Sequence, residues 1–171
     1  MRRGRVGHVD PAAENPAHLK VLFDLLDRTR PKGPTKLVPV LHELAETTRQ
    51  RAMVVVISDL FVDPQLLRSC FEHLRFRKHD LVVFHLLDPV ELEFKFQRPV
   101  RFLDMEGGSA LFADPSEIAD RYHLALRNYL HALKQIALET GIDYHRVRID
   151  EGYDQALMKF LVGRTRTGGV R

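Results

Sequence analysis

The stretch MVVVISDLF, residues 53–61, runs apolar residues straight into Ser58 and Asp59. An ionised carboxylate beside buried apolar side chains is costly unless something pairs with it. Two partners would serve. Asp59 could accept backbone N–H groups from a following turn, or it could stand at the carboxyl end of a parallel strand, where ligands and cations bind. Asp88 ends the run DLVVFHLLD in the same way. Together the two acids could hold a hard cation such as Mg²⁺, which prefers oxygen ligands, although an Asp before a Pro also opens a turn. Ser58 lacks the Gly-x-Ser-x-Gly elbow of a hydrolase nucleophile. Thr35 lies at the start of an expected helix, beside the Gly33-Pro34 turn.

Other chemistry finds less support. The chain has nine histidines and one cysteine, but no His-Glu-x-x-His pattern and no Cys/His cluster, so zinc is not expected. His123 and His131 stand two helical turns apart, too far to share an ion. His85 falls inside an apolar strand and reads as a hydrogen-bonded core histidine. Cys70 falls on an apolar helical stripe and reads as packing. There is no Walker loop and no Gly-x-Gly-x-x-Gly, and GPTK lacks the glycines needed to wrap a phosphate. Tyr122 and Tyr129, at helical spacing, read as core or interface residues.

These residues need elements to position them. Leu19, Leu22, Phe23 and Leu26 give helical spacing from Pro16 to about Thr29, with Asn15-Pro16 as cap and first turn. RPKGPT then breaks the chain. A second helix is expected from about Thr35 with Leu37, Leu41 and Leu44 in register. MVVVIS follows as a strand expected to be buried on both faces. Asp63-Pro64 caps a helix carrying Leu67, Cys70, Phe71 and Leu74. DLVVFHLLD is a second buried strand. PVRFLDM and SALFAD, joined through Glu106-Gly107-Gly108, read as a hairpin. Asp114-Pro115 opens the longest helix, which Gly141 ends as a left-handed cap. YHRVRI is a third main strand, and a last helix starts near Tyr153. Strands alternating with helices imply an α/β fold with a mostly parallel sheet covered on both faces.

A chain of 171 residues with 44% apolar and 29% charged residues supports one soluble domain with a real core. No apolar run approaches the roughly 20 residues that span a bilayer. The start, MRRGRVGHVD, has no apolar core of a signal peptide. One cysteine allows no intrachain disulfide, and a cytoplasmic setting is expected. The net charge of +3 sits partly in the basic ends, MRRGR and GRTRTGGVR. Such tails are usually solvated, so nucleic acid is not an expected partner.

The runs RTRPKGPTKLVPVLHEL, VVVISDLF, DLVVFHLLDPVELEF and GIDYHRVRID, followed by an amphipathic helix, resemble the bacterial proteins of the domain of unknown function 58 family. The resemblance spans about residues 18–161, and LLDPVELEF before a hairpin and a long helix is its most distinctive part. It implies a three-layer von Willebrand factor A-like (Rossmann-like) domain with a β-hairpin insertion. Such domains hold a divalent cation, Mg²⁺ or Mn²⁺, with an Asp-x-Ser-x-Ser loop, a threonine in a second loop and an aspartate ending a later strand. Thr35 matches the second part and Asp59 the third. No Asp-x-Ser-x-Ser occurs in this sequence.

The resemblance therefore implies an N-terminally truncated domain: residues 1–14 as a loop and strand stub, 15–162 as the partial domain and 163–171 as a flexible basic tail. The metal-ion-dependent adhesion site would be incomplete, with weak or no cation binding. Without the family's opening strand, residues 53–58 would present an open sheet edge suited to self-association. The implied role is a non-enzymatic protein–protein interaction or scaffold module working with a MoxR-type AAA+ ATPase. The competing expectation is a Mg²⁺-dependent phosphoryl-transfer or hydrolytic enzyme built on Asp59 and Asp88.

Overall fold

The computed structural model describes residues 16–30, 36–96, 98, 100–102 and 111–167. The chain forms two compact units, Met1–Pro34 and Thr35–Arg171. In the first, α1 (Pro16–Arg28) forms where the leucine spacing places it. Thr29 closes its end by donating its hydroxyl to the Leu25 carbonyl at 2.6 Å. Asn15, expected as the cap, and residues 1–14 lie outside the described residues.

The second unit contains α2 (Leu37–Thr47), β1 (Met53–Ser58), α3 (Pro64–Phe76), β2 (Asp80–Leu87) and α4 (Pro89–Glu93). It continues with β3 (Val100–Phe102), β4 (Leu111–Ala113), α5 (Pro115–Thr140), β5 (Asp143–Arg148) and α6 (Tyr153–Thr167). The main sheet has the order β1-β2-β5, with both pairings parallel. The fold is therefore α/β. β3 and β4 form the expected antiparallel hairpin.

The start and stop signals work as their chemistry requires. Asp63, Asp88 and Asp114 each accept a backbone N–H two residues on, from Gln65, Val90 and Ser116, at the N-termini of α3, α4 and α5. Each is followed by a proline whose missing N–H costs nothing at that position. Gly141 ends α5 at φ +65°, a left-handed conformation that a Cβ disfavours.

The core lies on one face of the sheet. Val54 and Val56 of β1 and Leu81 and Val83 of β2 meet Leu41 and Ala45 of α2. Leu67, Phe71 and Leu74 of α3 and Leu133 and Ile136 of α5 complete the cluster. The opposite face carries α6, whose Phe160 packs edge-on against Phe84 and His145.

Three features differ from the sequence reading. β1 was expected to be apolar and buried on both faces, but Met53, Val55 and Ile57 remain 56%, 49% and 66% exposed. Only Val54 and Val56 enter the core, so strand alternation splits the valine run between packing and open surface. The short helix α4 follows Asp88, in a stretch to which the sequence assigned no element. Its C-cap Phe94 takes a left-handed φ of +46°. Burial offsets that strain, because the Phe94 ring stacks on Tyr122 at 4.2 Å and meets Phe96 and Phe102. α6 runs to Thr167, into the segment expected as a flexible tail.

Phe71 fills the centre of the core with almost no exposure. Truncating it removes buried apolar area and leaves a cavity. Phe71→Ala is expected to destabilise the fold by about 3–5 kcal/mol. Chemical denaturation followed by circular dichroism checks this; a loss under about 1 kcal/mol would mean that the packing around Phe71 is misassigned.

Candidate functional site at the carboxyl end of the sheet

The question posed by Asp59 has a local answer. Ser58 and Asp59 end β1, and the next residue, Leu60, is fully buried at φ +52°. That left-handed turn would strand backbone donors, and the two polar side chains take them up. Ser58 Oγ accepts the Leu60 N–H at 3.0 Å, and Asp59 Oδ1 accepts the Phe61 N–H at 3.3 Å. The Ser58 hydroxyl also lies 3.3 Å from Asp59 Oδ1. Asp59 therefore opens a turn, and its carboxylate is exposed.

The turn is also held from outside. The Tyr129 hydroxyl of α5 donates to the Leu60 and Val62 carbonyls, the latter at 3.1 Å. Burial pushes the Tyr129 phenol above its usual range, so it stays a donor. Beneath the turn lies His85, level with Ser58 in the parallel register and almost fully buried. Its Nδ1 lies 2.6 Å from the Tyr144 hydroxyl. Burial lowers the His85 pKa, with the Asp59 backbone and charge acting the other way. Burial likewise raises the Tyr144 phenol, which is therefore a donor to neutral His85. His85 is thus the hydrogen-bonded core histidine expected from its place in the strand.

Asp88 ends β2 on the same carboxyl rim, but it caps α4 by accepting the Val90 N–H at 2.7 Å. Thr35, the other residue matched to a cation site, lies outside the described residues. The oxygens of Asp59 and Ser58 have the hard character that Mg²⁺ or Mn²⁺ favours. Among the described residues, however, no three His, Cys, Asp or Glu side chains converge as a cation-binding group.

A second polar chain links α2 to α3. Cys70 Sγ lies 3.5 Å from His42 Nε2, His42 Nδ1 lies 2.9 Å from His73 Nδ1, and His73 Nε2 lies 3.0 Å from a Glu46 carboxylate oxygen. One set of tautomers satisfies every link: the thiol donates to His42, His42 to His73, and His73 to Glu46. The order imitates a cysteine nucleophile with its base. Yet Cys70 is fully buried, and burial pushes its thiol up to about 11, away from the thiolate a nucleophile needs. The chain therefore acts as a polar seam between two helices. The sequence held its signal in two pairs at helical spacing, His42/Glu46 and Cys70/His73.

The geometry defines an α/β protein whose parallel sheet ends in an acidic, turn-braced rim. A family model described as "Protein of unknown function DUF58" matches residues 2–131, and the chain belongs to that family. No curated protein and no solved structure matches it.

Two outcomes follow from this geometry. Tyr129→Phe removes both bonds to the 60–62 turn and leaves those carbonyls short of a donor. It is expected to cost about 1–3 kcal/mol, with faster amide exchange at Phe61 and Val62 while the α3 core stays protected. Unchanged exchange would mean that the turn does not depend on Tyr129.

The pH dependence has a definite sign. His79 and His85 are buried, and their pKa values are lowered from the ordinary 6.5. Below that value the unfolded chain binds protons that the folded chain resists, so stability falls as pH drops. Each group contributes at most about 1.4 kcal/mol per pH unit. Denaturation midpoints from pH 7.5 to 5 should fall, and His85→Gln should flatten the slope. An identical slope in that variant would remove His85 from the account.

Proposed function

We propose that the protein is a non-enzymatic protein–protein interaction module of von Willebrand factor A-like type. It would work in the cytoplasm beside a MoxR-type AAA+ ATPase and carry an incomplete metal-ion-dependent adhesion site. The observation that carries this reading is the rigid presentation of Asp59. Its carboxylate stands exposed on a strained turn, on backbone that Tyr129 braces, next to Phe61 at 89% exposure. Backbone strain held by outside bonds concentrates at working sites. An acid beside an exposed aromatic ring on rigid chain suits recognition of a protein surface. Nothing in the family's description conflicts with this role.

Thr35 and Asp59 are the residues assigned to the cation, with Asp59 reaching it through water. Two such ligands rarely suffice for Mg²⁺, so binding by this chain is weak. The competing reading, a Mg²⁺-dependent phosphoryl-transfer or hydrolytic centre, uses the shared rim position of Asp59 and Asp88. Both carboxylates already accept backbone N–H bonds there.

Calorimetric titration of Mg²⁺ or Mn²⁺ into the chain is expected to give no saturable binding at micromolar concentrations. Co-precipitation with a MoxR-type ATPase is expected to succeed with the native chain and to fail with Asp59→Ala or Phe61→Ala. Phosphatase or nuclease activity present in the native chain and lost in Asp59→Ala would overturn the proposal in favour of an enzyme.

A further inference from the structure

On the far side of the sheet from β1, a groove of about 260 Å³ lies between the last turns of α5 and the strand β5. Ala137, Leu138, Ile142 and Tyr144 give it apolar walls, and Lys134 and Arg146 line it with charge. The local chain sets this order. Gly141 reverses the chain from α5 into β5, and the Ile142 N–H closes the turn on the Ala137 carbonyl at 3.1 Å. Leu138 and Lys134 stand one turn apart on α5, and Tyr144 and Arg146 share one face of β5. Four residues of helix rise about 6 Å, and two of strand about 6.6 Å. Leading away from Gly141, both elements therefore pass from an apolar to a cationic lining residue over a similar distance. The groove has an apolar end and a cationic end. Its Tyr144 wall is fixed, because the hydroxyl is held 2.6 Å from His85 Nδ1.

The two cations are not neutralised within the unit. Glu139, next to Leu138 on α5, is taken by Arg68 of α3. Arg148, the next cation on the same face of β5, is held by Asp150. Lys134 and Arg146 have no carboxylate partner among the described residues. Arg127 and His131 continue the exposed stripe of Lys134 along α5. On that stripe Leu138 is 66% exposed. The surface therefore complements an acid with an apolar neighbour.

We propose that this groove binds an extended acidic segment of a partner protein. An Asp or Glu carboxylate lies between Lys134 and Arg146, and an apolar side chain two residues away covers Ala137, Leu138 and Ile142. Side chains two apart on an extended chain stand about 6.6 Å from each other, which matches the separation of the cationic and apolar ends. A small free carboxylate would meet the cations and leave the apolar end bare. The inference goes beyond the rim reading: it names a second surface, and it holds whether or not Asp59 meets a partner.

The test titrates a peptide with the run Glu-Ser-Leu, flanked by Gly-Ser repeats, into the isotope-labelled full chain at low salt in EDTA. It needs neither ATPase nor cation, so its failure and that of the rim reading are distinguishable. Saturable amide shifts are expected around Leu138, Ile142 and Tyr144, weakening as salt is added. Lys134→Glu and Arg146→Glu should each weaken binding about tenfold, and Leu138→Ser should weaken it as well. All three side chains are exposed, and unchanged amide spectra away from the groove verify that each variant folds. A peptide with Lys in place of Glu should bind the Lys134→Glu/Arg146→Glu double variant and not the native chain. No saturable shift at millimolar peptide would overturn the proposal, as would binding indifferent to these substitutions. Equal affinity for hexanoate alone would overturn it in favour of a small-carboxylate site. Co-sedimentation with phosphatidylserine vesicles that depends on Lys134 and Arg146, without peptide binding, would overturn it in favour of a lipid surface.

Discussion

Strand β2 is the constraint on which the second unit depends. It pairs with β1 along one edge and β5 along the other, so its backbone groups are satisfied only if both neighbours hold register. Leu81 and Val83 enter the main core while Val82 and Phe84 are buried on the other face. A one-residue slip would exchange those two sets and would carry His85 away from Tyr144. The strand begins just after His79, whose Nδ1 accepts the Ala52 N–H while its buried Nε2 has no partner among the described residues. That orphaned donor is a local cost, accepted at the point where β1 and β2 are first brought side by side.

From this base the carboxyl rim follows. Because β1 is locked to β2, Ser58 arrives level with His85, and the chain must leave the sheet at once. Leu60 does so in a left-handed turn while placing its side chain in the core. The cost of the turn is offset by Ser58, Asp59 and Tyr129 together. Only Oδ1 of Asp59 is spent on the backbone. The alternatives posed by the sequence, a turn former or a ligand acid, are therefore compatible within one side chain.

Much of this could be read beforehand, because local rules decide it. Asp63, Asp88 and Asp114 cap because each precedes a proline and sits within reach of a freed N–H. Gly141 ends α5 because only glycine adopts that conformation cheaply. What stayed hidden depends on tertiary context. α4 is five residues long, too short for a periodic signal, and is held by the aromatic cluster around Phe94. Tyr129 gave only a helical spacing; its bond to the 60–62 turn spans 67 residues to Val62. The polar seam from Cys70 to Glu46 needed the α2–α3 crossing to become visible. The candidate site was legible as Asp59 and its rim position, whereas Thr35 was carried by resemblance alone.

β1 shows why a run of valines underdetermines burial. Val54 and Val56 must be apolar, since they lie against α2 and α3. Met53, Val55 and Ile57 face no such demand, and polar residues there would leave the core unchanged. Branched apolar residues favour the strand conformation, which accounts for part of the choice.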